Sequence, residues 1–324
     1  MISDTDPRRF PAAAAAVLAL VAASVAAAPA APAATAPAAP AVNLATPAQL
    51  RSTLEKAGKA LAKAEDALRG SDAGEVSLFL LQSDEYLEHF QAASGLEALV
   101  KALQEARAAA GEATAAGVAD ATAADGPDLA EAAAAVRRAR DLMTPVAEYT
   151  VLRQGAEAGY EALRAAGARD RPGFLAALDR LEAATLVPVL LARLREARDG
   201  ISRGRLAMVR RDMKEGRAQV AAARRACDGL EYAGALSRAS FALSVGSELL
   251  ASDSVIAARD QIQKALRDLR RAAASAPVGQ QAVLEQARAE AAEIWKRSGR
   301  SSAAEAGKLA DIARKVETVR LQQR

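Results

Sequence analysis

The chain has 324 residues, with 43 Lys+Arg against 40 Asp+Glu for a net charge of +3, one His and one Cys. A single His excludes a multi-histidine metal site, and a single Cys excludes a CxxC pair, a zinc ribbon and an intramolecular disulfide. Apolar residues make up 51% of the chain but aromatics only 3%, so this alanine-rich sequence has side chains for helix packing and few large ones to line a deep pocket.

The first expected element is an export signal. Arg8 and Arg9 form a short basic start, Ala12 to Ala28 is an uncharged apolar run, and small residues follow it. That order is the pattern of a secretory signal peptide over residues 1–28, with an uncleaved membrane anchor as the alternative. Residues 29–46 alternate Pro and Ala through most of their length. Proline fixes φ and lacks an N–H, so this stretch reads as a disordered, extended spacer, of which Pro29 to Val42 can reach about 40 Å at about 3.1 Å per residue.

Everything after Thr46 reads as helix. Thr46-Pro47-Ala48-Gln49 supplies an N-cap, a proline at the first helical position and an amide three residues on, which is a capping box. Leu54, Leu61 and Leu68 share one face of that helix, and Gly70-Ser71-Asp72 ends it. A second helix carries Phe79, Tyr86 and Phe90 on one face, expected to be its core side. Ser94 and Glu97 suggest another capping box. Further breaks are expected at Asp125-Gly126-Pro127, Arg169 to Gly173, Lys214-Glu215-Gly216, Ala251 to Ser254 and Ser298 to Ser301. Their spacing, about 40 to 55 residues, is that of helix-pair repeats, although no residue-level consensus is evident. Leu206, Met213, Val220 and Cys227 recur every seven residues, which predicts an apolar stripe that buries the lone thiol. Tyr149 and Tyr160 are expected to face the core, as are Leu178 and Leu266. Trp295, near the end of a helix from Pro277 to Arg297, is expected to anchor the last helix, which starts at Ser302 with Glu305 as its capping partner.

The expected fold is therefore all-α: antiparallel helical hairpins stacked as an irregular bundle or an α-solenoid. Its parts are an N-terminal helical region over 47–110, a linker or frayed helix over 111–127, a hairpin region over 128–276 and a C-terminal hairpin over 277–324.

Motifs for chemistry are missing from the sequence. It has no G-x-x-x-x-G-K-[ST] loop and no G-x-G-x-x-G, and no two of its many carboxylates stand out by spacing. His89 lies one turn from Glu85, which fits a surface pair better than a ligand. The reading is a non-enzymatic protein with no cofactor, no metal and no small-molecule substrate.

Charge is uneven. Residues 43–150 hold 10 Lys+Arg and 17 Asp+Glu, a balance of −7, whereas residues 151–324 hold 31 and 21, a balance of +10. Arg203, Arg210, Lys214, Arg217 and Arg224 fall on one stripe if their helix runs unbroken. With Trp295 they form the candidate interaction surface. No aromatic interleaves them, as a nucleic-acid groove would require, so nucleic acid is not an expected partner. A solvated face, an anionic envelope polymer, a membrane surface and an acidic protein face all remain open.

The stretch from Leu152 to Leu230 resembles the C-terminal helices of YfdX-type exported proteins, and 235–269 has a similar hairpin rhythm. The shared features are a helix ending near Ala166-Gly167-Ala168-Arg169-Asp170, a paired helix Phe174 to Leu181, then Val187-Pro188-Val189-Leu190. A long helix through Leu194, Ala197 and Ile201 follows, then a Lys214-Glu215-Gly216 turn and a helix ending at Cys227-Asp228-Gly229-Leu230. The resemblance implies a periplasmic, all-helical, oligomerising protein linked to stress tolerance or to protection of other proteins, and it brings no catalytic residues.

Overall fold

Eleven helices account for the regular structure among the described residues, and none of it is strand. The structure, a computed structural model, describes residues 44–117, 129–144, 146, 152–297 and 303–322, with backbone alone at 112–117 and 152–153. In chain order the helices are α1 (Pro47–Arg69), α2 (Ala73–Ser94), α3 (Leu96–Gly117), α4 (Ala130–Met143), α5 (Leu152–Gly167), α6 (Arg171–Thr185), α7 (Val187–Val209), α8 (Met213–Ala251), α9 (Val255–Ser275), α10 (Val278–Arg297) and α11 (Ala303–Leu321). The expected signal segment, residues 29–43 of the Pro/Ala spacer, Tyr149, Ser302 and the breaks at 125–127 and 298–301 lie outside the described residues.

Local chemistry sets the helix ends. The Thr46 side chain accepts from Gln49 N, and the Gln49 side chain accepts from Thr46 N at 2.8 Å. This is the expected capping box. Four hairpin turns then repeat one backbone design. Ser71, Arg169, Arg211 and Asp253 each adopt a left-handed φ of 56 to 63°. In each turn the N–H after that residue bonds back to the carbonyl five positions earlier: Asp72 to Ala67, Asp170 to Ala165, Asp212 to Ala207 and Ser254 to Leu249. That is the Schellman ending, which satisfies carbonyls a helix would otherwise orphan. The residue making the long bond is also the N-cap of the next helix. Asp72, Asp170 and Asp212 accept bonds from first-turn N–H groups, so three residues between helices suffice to reverse the chain.

Two of these endings correct the sequence reading. The break expected at Lys214-Glu215-Gly216 falls at Arg210 to Asp212, and residues 214–216 are the first turn of α8. The stop expected at Asp228-Gly229 does not occur: α8 runs 39 residues, to Ala251, because both halves of it are buried by other helices. Ser94 does not cap α3 through Glu97. Gly95, at φ 70°, joins α2 to α3, while Ser94 Oγ donates to Gln91 O and Glu97 accepts from Gln91 Nε2. The stretch read as a linker or frayed helix from Gly111 is helix as far as Gly117.

The described residues form one compact unit, a bundle of hairpins organised along α8. The N-terminal half of α8 packs with α7 and α1, and α2 packs on α7. A second group of four consists of α3, α4, α5 and α6, joined to the first through α3 and α7. The C-terminal half of α8 packs with α9 and α11, and α10 packs on α9 and α11. The buried apolar side chains accordingly fall into two clusters, which meet in the middle of α8 around Tyr232 and Ala233. Alanine lets these axes come close. A Cβ added at Gly200 of α7 would stand 3.0 Å from Ala223 N and 3.1 Å from Gln219 O of α8, so only glycine fits that crossing without a shift.

The core faces follow the 3.6-residue period, with corrections. Leu178 and Phe90 are buried, as expected, but Leu266 is only partly so. On α2 the core side is Val76, Leu80, Leu87 and Phe90, whereas Phe79 and Tyr86 lie at its edge under Lys63 and Lys56. Tyr160 is 42% exposed, and its ring stacks against the Arg140 guanidinium at 3.9 Å. Phe79, Tyr86 and Tyr160 thus sit at the rim where cations cover their rings, whereas Phe90 and Phe174 are buried.

Candidate interaction surfaces

The basic stripe drawn from the sequence does not exist as one face. Arg211 at φ 58° and the Asp212 N-cap reverse the chain between α7 and α8, so residues on either side of the turn belong to antiparallel helices. Arg203 is exposed on α7, Arg210 is exposed in the turn and Lys214 is exposed on the first turn of α8. Arg217 and Arg224 have structural work to do. Arg217 Nη2 donates to Leu68 O at 3.3 Å, and Arg224 Nη1 donates to Gly58 O at 3.1 Å while its Nε meets Asp228 at 2.9 Å. Both arginines thereby fasten α8 to α1. The expected heptad stripe is split in the same way: Val220 and Cys227 are buried, Met213 is partly buried and Leu206 is 48% exposed.

What the turn does assemble is a basic tip. Arg203, Arg205, Arg210, Arg211 and Lys214 are exposed there, and Leu206 and Val209 stand in water among them, Val209 at 80% exposure. Asp212 and Glu215 are the acidic groups of the same stretch. Asp212 is engaged as the N-cap, and Glu215 accepts from Gln219.

Trp295 is partly buried at the edge of the second core cluster, with the Arg259 guanidinium of α9 over its ring at 4.7 Å. Its indole thus ties α10 to α9. His89 is exposed, and among the described residues no hydrogen bond or ion pair joins it to Glu85. Cys227 is buried as expected, facing Gly58 across the α1–α8 seam. Burial, helped by Asp228 and Glu231, pushes its thiol up to about 12; this is a packing cysteine, not a nucleophile.

The polar groups that sequence reasoning missed are the buried ones. Arg320 of α11 is fully buried and donates to Ala184 O, in the last turn of α6, at 2.9 Å. Glu317 lies 3.5 Å from it and accepts from Ser240 Oγ at 3.2 Å. Arg238 and Asp268 form a largely buried pair across α8 and α9 at 3.1 Å. No local sequence signal separates these arginines from the many exposed ones.

A cavity of about 380 Å³ lies between α10 and α11, with Glu290, Glu293, Arg297, Asp311, Lys308 and Lys315 among its lining. Its charges largely pair with each other, as Lys315 does with Glu290 at 2.9 Å, leaving no convergent set aimed at a ligand. Among the described residues, no group of three or more His, Cys, Asp or Glu side chains could hold a metal ion, and no helix is long and apolar enough to cross a membrane. Comparison with protein-family models, with curated proteins and with solved structures finds no match to this chain.

Proposed function

We propose that this chain is an exported, non-enzymatic helical protein that works through protein–protein contacts, shielding partly unfolded proteins or associating with its own copies. The observation that supports it most is the placing of large aliphatic side chains in water at helix ends. Val209 closes α7, Ile256 lies in the first turn of α9 and Val278 opens α10, exposed by 80%, 88% and 92%. Phe241 adds a half-exposed ring on α8. Side chains of this kind on rigid hairpin tips can meet transiently exposed apolar segments of another protein. The resemblance to YfdX-type proteins points the same way. The test is light scattering after size exclusion on the chain from residue 43, together with aggregation of a heat-denatured client. Suppression that falls when Val209, Ile256 and Val278 become serine is expected. A strict monomer without effect on aggregation overturns the reading.

The basic tip favours a second reading, an envelope-associated protein that sits on anionic polymer or membrane surface. Exposed arginines around Leu206 and Val209 suit an anionic, partly apolar surface. Co-sedimentation with vesicles containing anionic lipid should weaken as salt rises. Binding that ignores salt, or no binding, removes it.

A further inference from the structure

We propose that segments 47–143 and 152–251 are two copies of one four-helix unit that recognise each other, so that the pairing surface of each accepts the other unit from the same chain or from a second copy. Several independent observations carry this. The packing is reciprocal: α1 on α8 answers α5 on α4, α2 on α7 answers α6 on α3, and α3 meets α7, its own counterpart. The first hairpin of each unit therefore packs against the second hairpin of the other.

The joints coincide as well. The turn at Ser71 and Asp72 returns as Arg169 and Asp170, 98 positions later, with the same hydrogen bonds. The left-handed joint at Gly95 returns at Leu186, each followed at once by a helix. Buried positions match through every helix: Ala57, Leu61 and Ala64 with Gly155, Gly159 and Ala162. Val76 and Leu80 match Phe174 and Leu178, and Val136, Ala139 and Met143 match Val220, Ala223 and Cys227. At the centre the sequence itself repeats. Leu99, Leu103 and Glu105-Ala106-Arg107 of α3 recur as Leu190, Leu194 and Glu196-Ala197-Arg198 of α7.

The two arginines of this repeat do the same thing. Arg107 reaches Glu182 of α6 at 3.0 Å, and Arg198 reaches Asp84 of α2 at 2.9 Å. Glu182 and Asp84 are themselves matching positions, 98 residues apart. Each clamp thus crosses from one unit to the other, and the pair is related by the same exchange that relates the helices. A unit that packs its own hairpins poorly and its partner's well is built for recognition between units.

The test uses the full chain with a protease site inserted in the connection between α4 and α5. The uncut protein should match the parent in helicity and melting. After cutting, the two pieces should elute together as a 1:1 complex, separate in denaturant and recombine on its removal. When cut protein carrying two different tags is unfolded, mixed and refolded, pieces from different copies should pair. Arg198→Asp should weaken recombination about tenfold, since it puts like charges across the interface, and Asp84→Arg in the other piece should restore it. Pieces that part on cutting without denaturant overturn the proposal, as does a reversed pair that fails to restore recombination.

Discussion

Arg320, the penultimate residue of α11, is fully buried and hands a hydrogen bond to the carbonyl of Ala184, 136 positions earlier, at 2.9 Å. A helix C-terminus carries partial negative charge on carbonyls that lack partners, and a guanidinium satisfies both conditions. The bond links the second core cluster to α6 of the first. Arg320→Ala should leave Ala184 O and Glu317 buried without it, lowering stability by about 3 kcal/mol. Urea unfolding with far-UV circular dichroism measures this, and loss of α11 ahead of the remainder is the expected form.

The shared turn makes a second prediction. Arg211 holds a left-handed φ of 58°, which costs an L-residue about 1 kcal/mol or more that glycine does not incur. Glycine adds freedom to the unfolded chain, so Arg211→Gly should raise stability by about 0.5 kcal/mol. Asp212→Ala removes the side chain that accepts from Glu215 N and should lower stability by about 1 kcal/mol. Opposite shifts in melting temperature from neighbouring residues are the check.

Titration of two buried groups sets an alkaline limit. Burial raises Cys227 from 9.0 to about 12 and Tyr232, whose hydroxyl donates to Gln280, from 10.0 to about 12. Both groups bind their protons more tightly folded than unfolded, so their contribution is complete below pH 9 and declines as pH rises from 9 to 12. Unfolding midpoints should therefore fall over that window, and Cys227→Ala should flatten the part that begins near pH 9. At pH 8 the thiol should resist alkylation until the chain unfolds.

Close packing supplies the last three. Gly200→Ala forces a Cβ against the α8 backbone at 3.0 Å and should destabilise by about 1–3 kcal/mol. Leu178→Asp buries a carboxylate in a site with 0% exposure and should cost more, by the penalty for an unpaired buried charge. Leu266→Asp, at a partly buried position, should cost less than Leu178→Asp. Denaturant midpoints rank the three.

Much of the candidate surface was hidden from the sequence by one turn. The spacing of Arg203, Arg210, Lys214, Arg217 and Arg224 is faithful to a helix, but a left-handed Arg211 interrupts it. Nothing in Arg210-Arg211-Asp212 demands that conformation as a glycine would. The repeated units were overlooked for a related reason: between α2 and α6 the correspondence shifts from 98 to 91 positions, which breaks a fixed period. Leu-x-x-x-Leu-x-Glu-Ala-Arg, present twice, was the signal that could have found them.

The sequence by itself determined that this chain is helical and where several hairpins turn, because caps and Schellman endings are made by neighbours within about five residues. Which hairpins embrace was decided only in three dimensions. Faces of alanine and leucine look alike from helix to helix, so a one-dimensional pattern assigns them a buried side but no partner. The partner is chosen by close approaches such as Gly200 on Ala223 and by long-range clamps such as Arg198 on Asp84, whose energies depend on distances the linear order does not contain.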